Sequence, residues 1–64
     1  MKKIGYALIK KIGKSYKIVL FDSEKKDDLE WSITACDFKD VELVEVYKKD
    51  NILYAKKENT FIEV

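Results

Sequence analysis

Histidine and arginine are missing from the 64 residues, as are glutamine and proline, and there is one cysteine. Without histidine, the thiol of Cys36 and the hydroxyls of Ser15, Ser23, Ser32, Thr34 and Thr60 have no ordinary base to activate them. The usual zinc ligand sets fail for the same reason. Carboxylate pairs such as Glu42 and Glu45 could do acid and base work only in an apolar cleft that moves their pKa values, and a chain this short has little room for one. A lone cysteine allows no intramolecular disulfide, and Cys36 is expected to be buried and inert. The expectation is a non-enzyme with no metal, no cofactor and no small-molecule substrate. The thirteen basic residues are all lysine, so the planar guanidinium that contacts guanine or phosphate in bidentate fashion is absent, which disfavours sequence-specific DNA reading.

Long hydrophobic runs are lacking too. After Met1-Lys2-Lys3, the first apolar stretch is closed by Lys10-Lys11, too early for a signal-peptide core and far short of a membrane span. No membrane association is expected, and the cytoplasm is the expected location. Two motif fragments dissolve on inspection. Gly13-Lys14-Ser15 resembles the end of a phosphate-binding loop, but Leu8 stands where that motif needs its first glycine and a strand-like Tyr16-Lys17-Ile18-Val19 follows. The acidic stretch from Asp22 to Asp28 lacks the central glycine and the closing glutamate of a calcium loop.

What is present is an apolar fraction of 47% beside 39% charged residues, enough to fold and too hydrophobic for disorder. The length implies one domain, 1–64, with a core too small to divide. Its net charge of +1 is unevenly spread. Residues 1–21 hold six lysines and no acid, residues 22–45 nine acids and three lysines, and residues 46–64 four lysines and three acids. Opposite charges could cancel across a sheet, or the asymmetry could steer a charged partner.

Period-two alternation dominates. Strands are expected at Lys3 to Ile12, Tyr16 to Phe21, Leu29 to Ala35, Val41 to Tyr47, Ile52 to Lys56 and Thr60 to Val64, separated by turns at Gly13-Lys14-Ser15, Asp50-Asn51 and Glu58-Asn59. The segment from Asp22 to Asp28 reads as a charged loop, and Asp37 to Asp40 as a short turn carrying Phe38 inward. The third strand alternates most cleanly, with Leu29, Trp31, Ile33 and Ala35 on one side, so Trp31 is expected in the core. A helix at 37–49 is the alternative, favoured by early acids and late lysines and opposed by Val41, Val44 and Val46.

The expected fold class is all-β: a strongly bent five- to six-stranded antiparallel sheet or SH3-like barrel, with α+β as the alternative if 37–49 is helical. Its inward set would be Tyr6, Leu8, Ile18, Leu20, Trp31, Ile33, Val44 or Val46, Leu53 and Phe61. Function is expected to lie in protein–protein contact, as a small inhibitor or adaptor of the phage or mobile-element kind or as a homodimeric regulator. Apolar residues on both faces of Ile18 to Phe21 support self-association. The alternative is single-stranded nucleic-acid binding, which uses aromatic platforms beside lysines; Tyr6, Tyr16, Tyr47 and Tyr54 are the aromatic candidates. Either way the candidate partner surface is the first hairpin, with Lys10, Lys11, Lys14, Lys17, Tyr6 and Tyr16.

Overall fold

Three two-residue turns set the strand rhythm. Gly13 takes a φ of 65°, and the pairs Asp50-Asn51 (51° and 65°) and Glu58-Asn59 (49° and 66°) are positive at both positions, the signature of the type I′ turns that match strand twist. The computed structural model describes residues 1–64. It contains β1 (Lys2–Ile12), β2 (Ser15–Asp22), α1 (Lys26–Ala35), β3 (Val41–Lys49), β4 (Ile52–Lys57) and β5 (Thr60–Glu63). The strands form a single antiparallel sheet in the order β2-β1-β3-β4-β5, with no ladder between the outer strands β2 and β5. No helix is long and apolar enough to cross a membrane.

Register divides the side chains between two faces. Ala7 and Ile9 on β1, Val44 and Val46 on β3 and Ala55 on β4 form one buried cluster, flanked by Ile4, Tyr16, Ile18, Leu53 and Val64. The ladders put Leu8, Leu20 and Leu43 on the opposite face, where α1 lies against β1, β2 and β3. Leu8 is fully buried there, and Leu29 is the buried residue of α1. No helix covers the first face, so its dry cluster must be closed by the sheet curling over itself. Sequence makes that curl feasible: Ala7 and Ala55 are small, and bulges interrupt the β1–β3 ladder at Lys3/Gly5 and the β1–β2 ladder at Leu8/Ile9. We call the curled side the inner face and the helix side the outer face.

The span from Leu29 to Ala35 is helix, not a third strand. Leu29 and Ile33 share a side in either geometry, since a spacing of four suits both a strand and a helical turn; Trp31, two residues and about 200° of helical rotation from Leu29, is what distinguishes them. Asp27 and Asp28 in the first turn suit the positive end of the helix dipole. Trp31 therefore leaves the expected core and is 72% exposed. Phe61, also expected inside, is 44% exposed. The helix starts at Lys26, so the charged loop between Asp22 and Asp28 shrinks to 23–25. Its turn is set by Asp22, whose carboxylate accepts hydrogen bonds from the backbone N–H groups of Glu24 and Lys25, both at 2.8 Å.

The helix ends with Asp37 at a φ of 52° and the Phe38 N–H bonded to the Ile33 carbonyl at 3.3 Å, the longer-range bond of a Schellman cap. That turn tucks Phe38 to a half-buried position, as expected. Cys36, at the helix C-cap, is exposed rather than buried. The alternative helix at 37–49 is overturned: Val41–Lys49 is β3, where Val41, Val44 and Val46 keep the rotamers a strand allows.

Candidate docking surface

The lysines of the first hairpin gather at its tip. Lys10 and Lys17 face each other directly across β1 and β2, Lys11 pairs with Tyr16, and Lys14 sits in the turn. All four lysines are exposed and none forms a salt bridge; the two ion pairs of the molecule use Lys3 and Lys57. Like charges directly opposite in a ladder are destabilising, so the Lys10–Lys17 pair is an uncompensated local cost. The β1–β3 ladder stops at Lys10↔Val41, so the hairpin projects beyond the sheet, with Ile12 52% exposed at its end.

The two tyrosines lie on opposite faces, and only Tyr16 stays beside one of these lysines, Lys11. Tyr16 lies on the inner face, where its hydroxyl accepts a hydrogen bond from the Lys57 ammonium at 3.1 Å. Lys57 also stands 5.1 Å and Lys11 6.0 Å from the ring centroid, and Glu42 pairs with Lys57 at 3.0 Å. This hydroxyl, followed by Glu42, raises the Lys57 pKa. Tyr6 lies on the outer face, four residues or about 13 Å of strand from Lys10. Its hydroxyl accepts a 2.9 Å hydrogen bond from Lys3, whose ammonium also stands 4.3 Å from the ring and pairs with Glu45 at 2.7 Å. The Glu45 carboxylate raises the Lys3 pKa, and Lys3 in turn lowers that of Glu45. Tyr6 and Glu45, with Lys26, Leu43 and Val44, line a shallow cavity of about 380 Å³ at the seam between α1 and β3.

Beyond that seam the helix no longer covers the outer face. Tyr47 and Tyr54 are direct cross-strand neighbours, and Tyr47 meets Phe61 edge-on with ring centroids 5.2 Å apart. This packing holds the aromatic rings against one another and against the sheet. The freest aromatic is Trp31. It projects from the side of α1 opposite Leu29, with Asp27 one turn before it and Glu30 beside it. An indole so exposed on a short helix contributes little to the fold, and Trp is the residue most enriched among interface anchors.

Sequence reasoning missed this surface because it placed Trp31 on a strand. The signal was available in Asp27-Asp28-Leu29-Glu30, whose acids are poor strand formers and good first-turn residues. No protein-family model, curated protein or solved structure matches the chain.

Proposed function

We propose that the chain is a non-catalytic protein-binding module that docks through the outer side of α1, with Trp31 as the anchor. The observation that carries this reading is the 72% exposure of Trp31 on a helix whose inward side is already satisfied by Leu29. Both sheet edges are poorly suited to strand addition. The β1–β2 bulge leaves Val19 of β2 without a partner in β1, and β5 spans only Thr60–Glu63. Docking through a face is thus favoured over docking through an edge. In this reading the bent sheet serves as a rigid SH3-like support and the chain acts in the cytoplasm, where an exposed Cys36 with no partner thiol stays reduced. An inhibitor or adaptor of the phage or mobile-element kind uses its surface in this way.

The test compares the wild type with Trp31→Ala. In dilute solution the variant should keep the wild-type circular dichroism spectrum and melting temperature while its affinity for captured partner falls by about thirtyfold, equivalent to roughly 2 kcal/mol. A folded variant that binds as the wild type does would refute the reading. Single-stranded nucleic acid is the second reading, favoured by the four unpaired lysines of the hairpin tip. It predicts oligonucleotide binding with a steep salt dependence, unaffected by Trp31→Ala.

A further inference from the structure

We infer that the partner seated on Trp31 is a second copy of the chain, bound antiparallel about a two-fold axis passing close to that indole. This rests on the reading of α1 as a docking side and adds the identity of what docks. The layout of charge along the helix supports it. Strand β2 ends at Asp22, level with Tyr6, and β3 begins at Val41, level with Lys10, so α1 runs alongside the strands from the Tyr6 level towards the hairpin tip. Its start holds Glu24, Lys25, Lys26, Asp27 and Asp28, Trp31 and Glu30 stand midway, and Lys10, Lys14 and Lys17 lie towards its far end, where Asp37, Lys39 and Asp40 lead into β3. Register puts Lys10 and Lys17 on the outer face, the side that α1 occupies. The outer side therefore reads net acidic, indole, net basic along about 15 Å of helix and the hairpin tip beyond it. Four acids stand against two lysines from Glu24 to Glu30, and four lysines against two acids at the far end and the hairpin tip.

A pattern of that kind is complementary to itself when reversed. Two copies placed antiparallel bring Asp27 and Asp28 of each against the lysine tip of the other, while the two Trp31 side chains meet near the axis. Every charge contact occurs twice and the assembly closes as a dimer. A parallel pair would instead set acid on acid and lysine on lysine. The same arrangement answers a weakness of the monomer, which buries 8 of its 64 residues and has no disulfide to reinforce them. Chains below roughly 70 to 80 residues commonly gain that reinforcement from a partner subunit. A standard interface takes about 800 Å² from each partner, a modest part of the 4725 Å² that the free chain exposes.

Two charge-reversed chains test the inference. One carries Lys10→Glu, Lys14→Glu and Lys17→Glu, and the other Asp27→Lys, Asp28→Lys and Glu30→Lys. The wild type should sediment as a dimer at tens of micromolar in low salt, with concentration-dependent blue-shifted fluorescence from its only tryptophan. Each reversed chain alone should be a folded monomer, because its tip and its helix now have the same sign. An equal mixture should recover the dimer and the blue shift, since both contacts are again of opposite sign. Raising the ionic strength to about 1 M, where the Debye length is about 3 Å, should weaken the wild-type dimer by about tenfold or more, a readout that needs no variant.

A wild type that stays monomeric at hundreds of micromolar would overturn the self-association. So would a dimer indifferent to both reversals and to salt, or reversed chains that fail to pair with each other. If the wild type is monomeric yet Trp31→Ala still loses a different protein partner, the second copy is excluded and docking through α1 survives. Loss of neither association nor partner binding on Trp31→Ala removes both.

Discussion

Lys57 on β4 reaches the Tyr16 hydroxyl on β2 at 3.1 Å, although β1 and β3 lie between their strands in the sheet. The contact records how far the sheet curls, because a flat sheet would hold β2 and β4 about 14 Å apart. It also closes one end of the inner cluster, against which Tyr16 packs.

Removing only the hydroxyl, in Tyr16→Phe, should therefore cost about 0.5 to 1.5 kcal/mol by urea denaturation while leaving the ring in place. An unchanged denaturation midpoint would show that the Lys57 contact is incidental to the curl.

Gly5 is the second place where the curl constrains chemistry. A Cβ built there would stand 2.6 Å from the Asp22 carbonyl oxygen, 2.8 Å from the Ser23 Cα and 2.9 Å from the Phe21 ring. The first two are backbone and cannot step aside. Gly5→Ala should destabilise by about 1 to 3 kcal/mol, as overpacking does, and thermal melting would detect it as a drop of several degrees. Equal stability would mean that the junction of β2 with the loop before α1 is looser than the packing implies.

A paired experiment separates core from surface. Ile9 is 1% exposed on the inner face, and Ile9→Ala should cost roughly 2 to 5 kcal/mol, comparable to the whole stability expected of so small a core. Trp31→Ala should stay within about 0.5 kcal/mol of the wild type for the unassociated chain. Circular dichroism at low concentration distinguishes them, and a Trp31→Ala chain that unfolds there would return the indole to a structural role.

Much of this was legible in the sequence, for reasons that can be named. The hairpins at Gly13-Lys14, Asp50-Asn51 and Glu58-Asn59 declare themselves because few residues accept positive φ. Val41 to Val46 reads as a strand because β-branching penalises helix. The span from Leu29 to Ala35 misleads because its apolar residues are spaced by two and by four at once, and only the acids ahead of it point to a helix. The hairpin lysines could be placed, but not the separation of Tyr6 from Tyr16 onto opposite faces. That depends on register, which the Val19 bulge shifts by one residue on β2.

The turn at Glu58-Asn59 offers a gain in stability. Glu58 sits at a φ of 49° with no special tolerance for it, whereas asparagine and glycine occupy that region readily. Glu58→Gly should raise stability by up to about 1 kcal/mol despite the added freedom of the unfolded chain. A lower melting temperature would contradict the type I′ geometry.

Titration should bracket the stable range from both sides. Backbone N–H groups of Lys25 and Glu24 lower the Asp22 pKa, and Lys3 lowers that of Glu45. Their stabilisation is present above the ordinary carboxylate range of about 4 and is lost as pH falls through the depressed folded values. Lys3 and Lys57 have raised pKa values, so their contribution is whole below the ordinary lysine value of 10.5 and disappears as pH rises through the higher folded ones. Melting temperature measured against pH should decline at both extremes, and Asp22→Ala should flatten the acid limb. An acid limb identical in that variant would remove the role given to Asp22.

The β1–β3 ladder joins residues far apart in the chain, from Lys10↔Val41 to Lys2↔Lys48, while the other three ladders link consecutive strands. Folding therefore involves two quick local events and one slow encounter. The β3-β4-β5 meander and the β1–β2 hairpin can form early, and the search that brings Ala7 beside Val44 sets the rate. Substitutions at that seam, such as Val44→Ala, should slow folding more than they hasten unfolding, and changes in the β4–β5 turn should do the reverse. Stopped-flow refolding of the two variants would decide it, and a Val44→Ala effect confined to the unfolding rate would place the encounter after the barrier.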